Sequence, residues 1–132
     1  MNNSPPTVFV LEDSDLDFEL QTLAIRELVP EARIVRASDC CNAPKSFEEI
    51  QPSLIVIDVD LPSCNGLAFL EKMRKSQSVS APVVVFSTST DASNESRALS
   101  AGADQYCVKP VAAAAYLQAV RSFASPYLAV GG

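Results

Sequence analysis

Four short apolar runs in the sequence each end on residues able to carry charge or donate a proton. Thr7-Val8-Phe9-Val10-Leu11 leads into Glu12-Asp13, and Leu54-Ile55-Val56-Ile57 into Asp58. Pro82-Val83-Val84-Val85-Phe86 leads into Ser87-Thr88, and Gln105-Tyr106-Cys107-Val108 into Lys109-Pro110. Carboxylates held close together repel one another, and some must protonate unless the charge is neutralised. A hard divalent cation removes the conflict: Mg²⁺ takes octahedral oxygen ligands, one or two carboxylates among them, with water and phosphate oxygens. Asp58 then suits nucleophilic attack on phosphorus, forming an acyl phosphate. The Lys109 ammonium and the Ser87 hydroxyl share the charge on the transferring group. A carboxylate is already ionised at neutral pH, so no general base is needed. The chain has no histidine, which excludes Ser-His and Cys-His catalysis.

For these groups to meet, the apolar runs must be neighbouring strands of one sheet, because function in open α/β sheets gathers beyond the carboxyl ends of the strands. Between the runs lie helical patterns. Leu16, Leu20, Leu23, Ala24 and Leu28 recur at helical spacing and Pro30 closes that helix. Arg33 to Ala37, with Ile34 and Val35, reads as a further strand, and Pro44 to Ile50 as a weaker helix. Leu67, Leu70 and Met73 mark a third helix after a loop holding Pro62 and Gly66. A short helix around Glu95 to Ala101 stops at Gly102, and Ala112 to Phe123 is a fifth, with Leu117, Val120 and Phe123 apolar. Continuously apolar strands are expected of a parallel sheet with helices on both faces, joined by right-handed crossovers. The expectation is an α/β fold: a doubly wound, five-stranded parallel sheet with five helices.

Composition bounds the rest. The 132 residues, 48% of them hydrophobic, suit one domain with one core. A net charge of −6 and a pI near 4.5 argue against nucleic acid or a membrane surface as partner. No apolar run approaches the roughly 20 residues that span a bilayer. The start, Met1 to Pro6, lacks the regions of a signal peptide, so a cytoplasmic location is expected. Cys40, Cys41, Cys64 and Cys107 form no C-x-x-C pair. Without histidine, they argue against a structural zinc site and for buried or half-buried free thiols in a reducing compartment.

From about Thr7 to Phe123 the chain resembles the bacterial response-regulator receiver family. The matching pieces are Leu11-Glu12-Asp13; Ile57-Asp58-Val59-Asp60-Leu61-Pro62 with Gly66; Val85-Phe86-Ser87; and Gly102-Ala103-Asp104-Gln105-Tyr106-Cys107-Val108-Lys109-Pro110. Each alone is a weak signal; all four, in order and at strand ends, are specific. The resemblance implies a flavodoxin-like strand order 2-1-3-4-5, with residues 1–6 a flexible start and 7–124 the receiver domain; from the sequence itself 125–132 reads as a frayed tail, and no output domain is expected. It implies that Asp58 is the phosphoacceptor. Mg²⁺ or Mn²⁺ would be held by Asp13, Asp58 and the backbone carbonyl of Asp60, with Glu12 acting through water. Lys109, Ser87 and Thr88 would bind the phosphoryl group. Ser87 and Tyr106 would form a switch pair, and the Lys109-Pro110 peptide would be cis.

The implied donor is a sensor histidine kinase. The implied output is a downstream protein, or a second copy of the chain, docking on the face of the fourth helix, fifth strand and fifth helix, with no nucleic acid contacted directly and no membrane. No enzyme activity is expected beyond self-phosphotransfer and autodephosphorylation. More narrowly, Asp58 to Pro62, Ser87-Thr88-Ser89 and Val108-Lys109-Pro110-Val111 resemble single-domain receivers that serve bacterial phytochrome-type histidine kinases. Two residues depart from the broad pattern: Glu12 stands in place of the commoner aspartate and lengthens the reach to a metal, and Thr88 stands where a smaller residue is frequent.

Plainer roles compete with these. Glu12-Asp13 could be a solvated loop, with Asp13 or Ser14 capping the next helix. Asp60 could be a turn residue, Ser87 one hydroxyl among the Ser/Thr run to Thr90, and Tyr106 plain core. Asp58-Val59-Asp60 also matches the D-x-D of haloacid-dehalogenase-type phosphatases. That motif normally ends a first strand rather than a third, and such enzymes need a longer chain for core and cap. A pseudo-receiver, an interaction module that is never phosphorylated, is the third possibility, and the complete set of acids, hydroxyl and lysine argues against it.

Overall fold

Branched and aromatic side chains fit a pleated surface covered on both sides, and the apolar runs become strands accordingly. A computed structural model describes residues 4–44, 47–76 and 79–128. The order is β1 (Thr7–Leu11), α1 (Asp15–Leu28), β2 (Arg33–Ala37), a 3₁₀ turn (Cys40–Asn42), β3 (Leu54–Ile57), α2 (Gly66–Ser76), β4 (Val83–Ser87), α3 (Ala92–Ala101), β5 (Gln105–Val108) and α4 (Ala113–Leu128). All strands are parallel and their order is 2-1-3-4-5, as expected.

Alternate strand residues face opposite sides, and the core divides on that parity. Val8, Val10, Leu54, Val56, Val84 and Phe86 pack with α1 and α4. Phe9, Leu11, Ile55, Ile57, Val83 and Val85 pack with α2 and α3. The register pairs Leu11 with Ile57, Ile57 with Val85 and Ser87 with Val108. Glu12, Asp58 and Lys109 each follow one of these paired strand ends, so one edge carries them all. No helix among the described residues is long and apolar enough to cross a membrane.

The structure corrects three expectations. Among the described residues of 44–50 there is no helix: a 3₁₀ turn precedes the segment and bends and turns occupy 47–50, while residues 45–46 of the expected helix lie outside the described residues. Phe47 is buried and Ile50, one turn on, packs against the same core cluster. The chain leaves that turn at once, through a positive φ of 47° at Gln51 and then Pro52, which cannot continue a helix. The last helix does not fray after Phe123 but runs to Leu128, with Pro126 inside it. The fully buried Leu128 and Ala124 outweigh the one backbone donor that proline lacks. Cys40 and Cys64 are not free thiols but a disulfide, their Cα atoms 6.1 Å apart. The parallel order sets the loops after β2 and β3 on the same edge, so cysteines 24 residues apart meet. Cys41 is exposed and Cys107 half-buried. At the start, the Pro6 carbonyl accepts from the Arg33 N–H at 2.9 Å, tying that end to β2. Residues 1–3 and 129–132 lie outside the described residues.

Candidate functional site

β1 stops where the chain turns into α1. Ser14, not Asp13, is the N-cap, its Oγ accepting from the Asp17 N–H at 3.2 Å. The capping task falls to serine and leaves Asp13 exposed at the sheet edge. One carboxylate oxygen from each of Glu12, Asp13 and Asp58 lies within 4.8 Å of the others. That convergence of hard oxygen donors fits a Mg²⁺- or Mn²⁺-sized cation. Asp60 is exposed and its side chain is not part of this cluster. Its backbone N–H donates to Asp58 Oδ1 at 3.2 Å, and Asp60 pairs with Asn65 in an isolated bridge.

Lys109 follows β5 and reaches across β4 and β3. Its Nζ lies 2.8 Å from Glu12 Oε1, 3.1 Å from Asp58 Oδ2 and 3.6 Å from Asp17 Oδ1. Its backbone N–H donates to the Ser87 carbonyl at 2.7 Å. Loss of water opposes charge on the ammonium, but Glu12 and Asp58 prevail and raise its pKa. The Lys109–Pro110 peptide is trans, against the expected cis. Trans is the intrinsically favoured isomer by about 0.5–1 kcal/mol, and in it the ammonium already reaches its acidic partners.

Glu12 is 1% exposed. Its Oε1 also accepts from Gln21 Nε2 at 3.1 Å, and its Oε2 from the Ser14 N–H at 3.2 Å. The extra methylene relative to aspartate carries the carboxylate inward, to Lys109 and Gln21. Burial pushes its pKa up to about 7, against the pull of Lys109 and with a push from the Asp58 charge. The folded pKa thus lies above the ordinary 4.5. The stability this group contributes is complete below about pH 4.5 and is lost as pH rises through 7. In EDTA, wild-type stability to urea should fall by about 3 kcal/mol more between pH 4.5 and 8 than that of Glu12→Gln. Parallel pH profiles for the two proteins would contradict this.

Ser87 is fully buried and its Oγ accepts from the Ser89 N–H at 3.3 Å. Thr88 is exposed. Half-buried Tyr106 donates its hydroxyl to the Ser89 carbonyl at 2.7 Å, so Ser87 and Tyr106 are linked through Ser89. Three further residues join the site. Asp17 is one helical turn beyond Asp13, a spacing visible in the sequence. Burial raises its pKa, but the Tyr116 hydroxyl, Lys109 and Ser14 outweigh that and hold it below the usual range. Gln21, one turn further on, donates to both Glu12 and the Tyr116 hydroxyl. Tyr116 on α4 packs its ring against Phe86, and burial pushes its hydroxyl pKa well up.

Residues 8–121 match the family model described as response regulator receiver domain. The chain is 33% identical over 103 residues to the transcriptional regulatory protein KdpE of Mycobacterium tuberculosis, covering 78% of this chain and 45% of that protein. It is 31% identical over 128 residues to the nitrate/nitrite response regulator protein NarL of Escherichia coli, covering 94% and 57%. The chain thus spans about half the length of these curated relatives. Among solved structures, the Mn²⁺-bound form of response regulator Rcp1 superposes with a TM-score of 0.84 at 21% identity, over 96% of both chains. The phosphorylated cyanobacterial phytochrome response regulator RcpA gives 0.84 at 21% over 95% of both. Response regulator RPA3017, from red light signaling of R. palustris, gives 0.74 at 27% over 91% and 92%. Strand-end acids, lysine and hydroxyl on a 2-1-3-4-5 sheet, matched along nearly the whole sequence by one family model, place this chain in the response regulator receiver domain family.

Proposed function

We propose that this chain accepts a phosphoryl group on Asp58 from a sensor histidine kinase, and that the modification switches a protein-binding surface. The observation that carries this is the meeting of Glu12, Asp13, Asp58 and Lys109 at one sheet edge. An Asp58 oxygen attacks phosphorus, the bond to the donor breaks, and an acyl phosphate forms. Asp13, Asp58 and the Asp60 carbonyl would hold Mg²⁺ or Mn²⁺, with Glu12 through water. Bound there, the ion offsets charge on the transferring group. Lys109, whose ammonium already touches Asp58, would share that task.

Ser87 must release the Ser89 N–H to turn its hydroxyl to the phosphoryl group, which frees the loop that Tyr106 holds. That movement would bias the face of α3, β5 and α4, where Leu99, Val108 and Val111 are exposed, toward binding a downstream protein or a second copy. A haloacid-dehalogenase-type phosphatase would need the Asp60 carboxylate beside Asp58 as acid and base, and that side chain stands outside the cluster.

With Mg²⁺ and acetyl phosphate, mass spectrometry should show one added phosphoryl group, absent from Asp58→Asn. Retention of the added mass in Asp58→Asn would overturn the assignment, and multiple turnovers of small phosphoesters would favour a phosphatase.

A further inference from the structure

The Cys40–Cys64 bond joins the loop after β2 to the loop after β3, spanning the end of β1, the strand between them. Cys64 sits in the loop that begins at Asp58. Its neighbour Asn65 pairs with Asp60 and caps α2, its Oδ1 accepting from the Leu67 and Ala68 N–H groups at 2.8 and 3.2 Å. The Cys40 N–H also donates to Cys64 Sγ at 3.2 Å. The bond thus anchors the segment that presents the Asp60 carbonyl. Both cysteines are half-buried, and with exposed Cys41 they line an open groove of about 640 Å³. A disulfide that solvent thiols can approach is the kind that is reduced and re-formed.

We propose that the Cys40–Cys64 disulfide is a redox modification site that sets the metal affinity of the Asp58 loop. A dithiol reductant, small-molecule or protein, is its reaction partner. One thiolate attacks a disulfide sulfur; the S–S bond breaks, leaving a cysteine thiolate that takes up a proton and a mixed disulfide. The second thiol of the reductant, as thiolate, displaces the other cysteine. Two electrons pass from the dithiol, which becomes a disulfide, to Cys40 and Cys64, which become thiols. Reduction leaves the Asp60 carbonyl held only by its own loop, and ordering that loop is then charged against cation binding. The regulation rests on the metal-binding role proposed for Asp13, Asp58 and Asp60.

The test is calorimetric titration of the full chain with Mg²⁺ alone, oxidised and after dithiothreitol, with alkylation and mass spectrometry reporting the Cys40–Cys64 state. Reduction should raise the Mg²⁺ Kd at least about fivefold, the lower end of usual couplings between sites. Cys64→Ser should show the weaker Kd in both conditions, and Cys41→Ser should respond as wild type does. Equal Kd in both redox states overturns the redox inference and leaves the phosphoacceptor role intact. No Mg²⁺ binding in either state overturns the metal-site reading itself, and the inference with it. Unfolding of the reduced wild-type chain by circular dichroism would also overturn the inference, because the bond would then be structural. A redox response lost in Cys41→Ser would assign it to the wrong pair.

Discussion

Lys109→Met is expected to cost about 3–5 kcal/mol of stability in metal-free protein at pH 8, the usual loss when one partner of a buried ion pair is removed. The lysine side chain is 5% exposed and its ammonium faces Glu12, Asp58 and Asp17 within 3.6 Å. Methionine fills the same space but leaves buried negative charge uncompensated. Protonation is the escape open to Glu12, whose pKa already stands near 7 and would rise further without the lysine. In the variant, stability is therefore retained at low pH and lost as pH rises through that raised pKa. The difference from wild type should shrink markedly at pH 5.5. Urea unfolding in EDTA at the two pH values checks this; an equal difference at both, or one below about 1 kcal/mol at pH 8, would refute it. Phosphorylation by acetyl phosphate should also slow, by about 10²–10³-fold, as when one donor to a developing oxyanion is lost.

The strands and the acids at their ends are legible in the sequence because both follow from one requirement. A parallel sheet buried on two faces needs uninterrupted apolar runs, and a run that stops at Glu12, Asp58 or Lys109 marks the sheet edge where buried polar groups must find one another. Side chains arriving from helices are harder to read. Gln21 lies on α1 among residues that look like an ordinary amphipathic pattern, and only the packing of α4 brings the Tyr116 hydroxyl to it. Nothing in the sequence singles out Arg74, yet its guanidinium donates to the carbonyls of Gly102, Val79 and Ala81 and ties the end of α2 to the segments before β4 and β5. The Cys40–Cys64 pair is invisible for a related reason: nothing local marks two cysteines as partners, and only the strand order brings their loops together. The weak helix expected at Pro44 to Ile50 is absent among the described residues because Phe47 and Ile50 make one turn's contact and no more, and the backbone turns away at Gln51 with a φ of 47°.

Gly66→Ala tests how tightly the Asp58 loop is held against α2. Gly66 looks, in sequence, like a residue chosen for backbone freedom. In the structure it serves close approach: a Cβ there would lie 2.1 Å from the Asp58 carbonyl oxygen and 3.0 Å from Ile57 Cγ2. The nearest obstacle is backbone, at the residue bearing the carboxylate, and cannot rotate away. Either the first turn of α2 or the Asp58 peptide must move by more than an ångström. Overpacking of this kind costs up to about 3 kcal/mol, and misplacing a reacting group by about 1 Å can cost a hundredfold in rate. The expected result is a large drop in melting temperature, together with phosphorylation of Asp58 about a hundredfold slower under conditions where the variant is folded. Gly102→Ala is the control. Its φ of +116° also disfavours a side chain, but the nearest atoms its new Cβ meets belong to the flexible Arg74 side chain on α2, not to backbone. It should lose about 1–2 kcal/mol from the backbone conformation with phosphorylation near wild type. If both variants lost stability and rate in proportion, Gly66 would matter only for folding. A slow but well-folded Gly66→Ala would show instead that the position of the Asp58 backbone sets the rate.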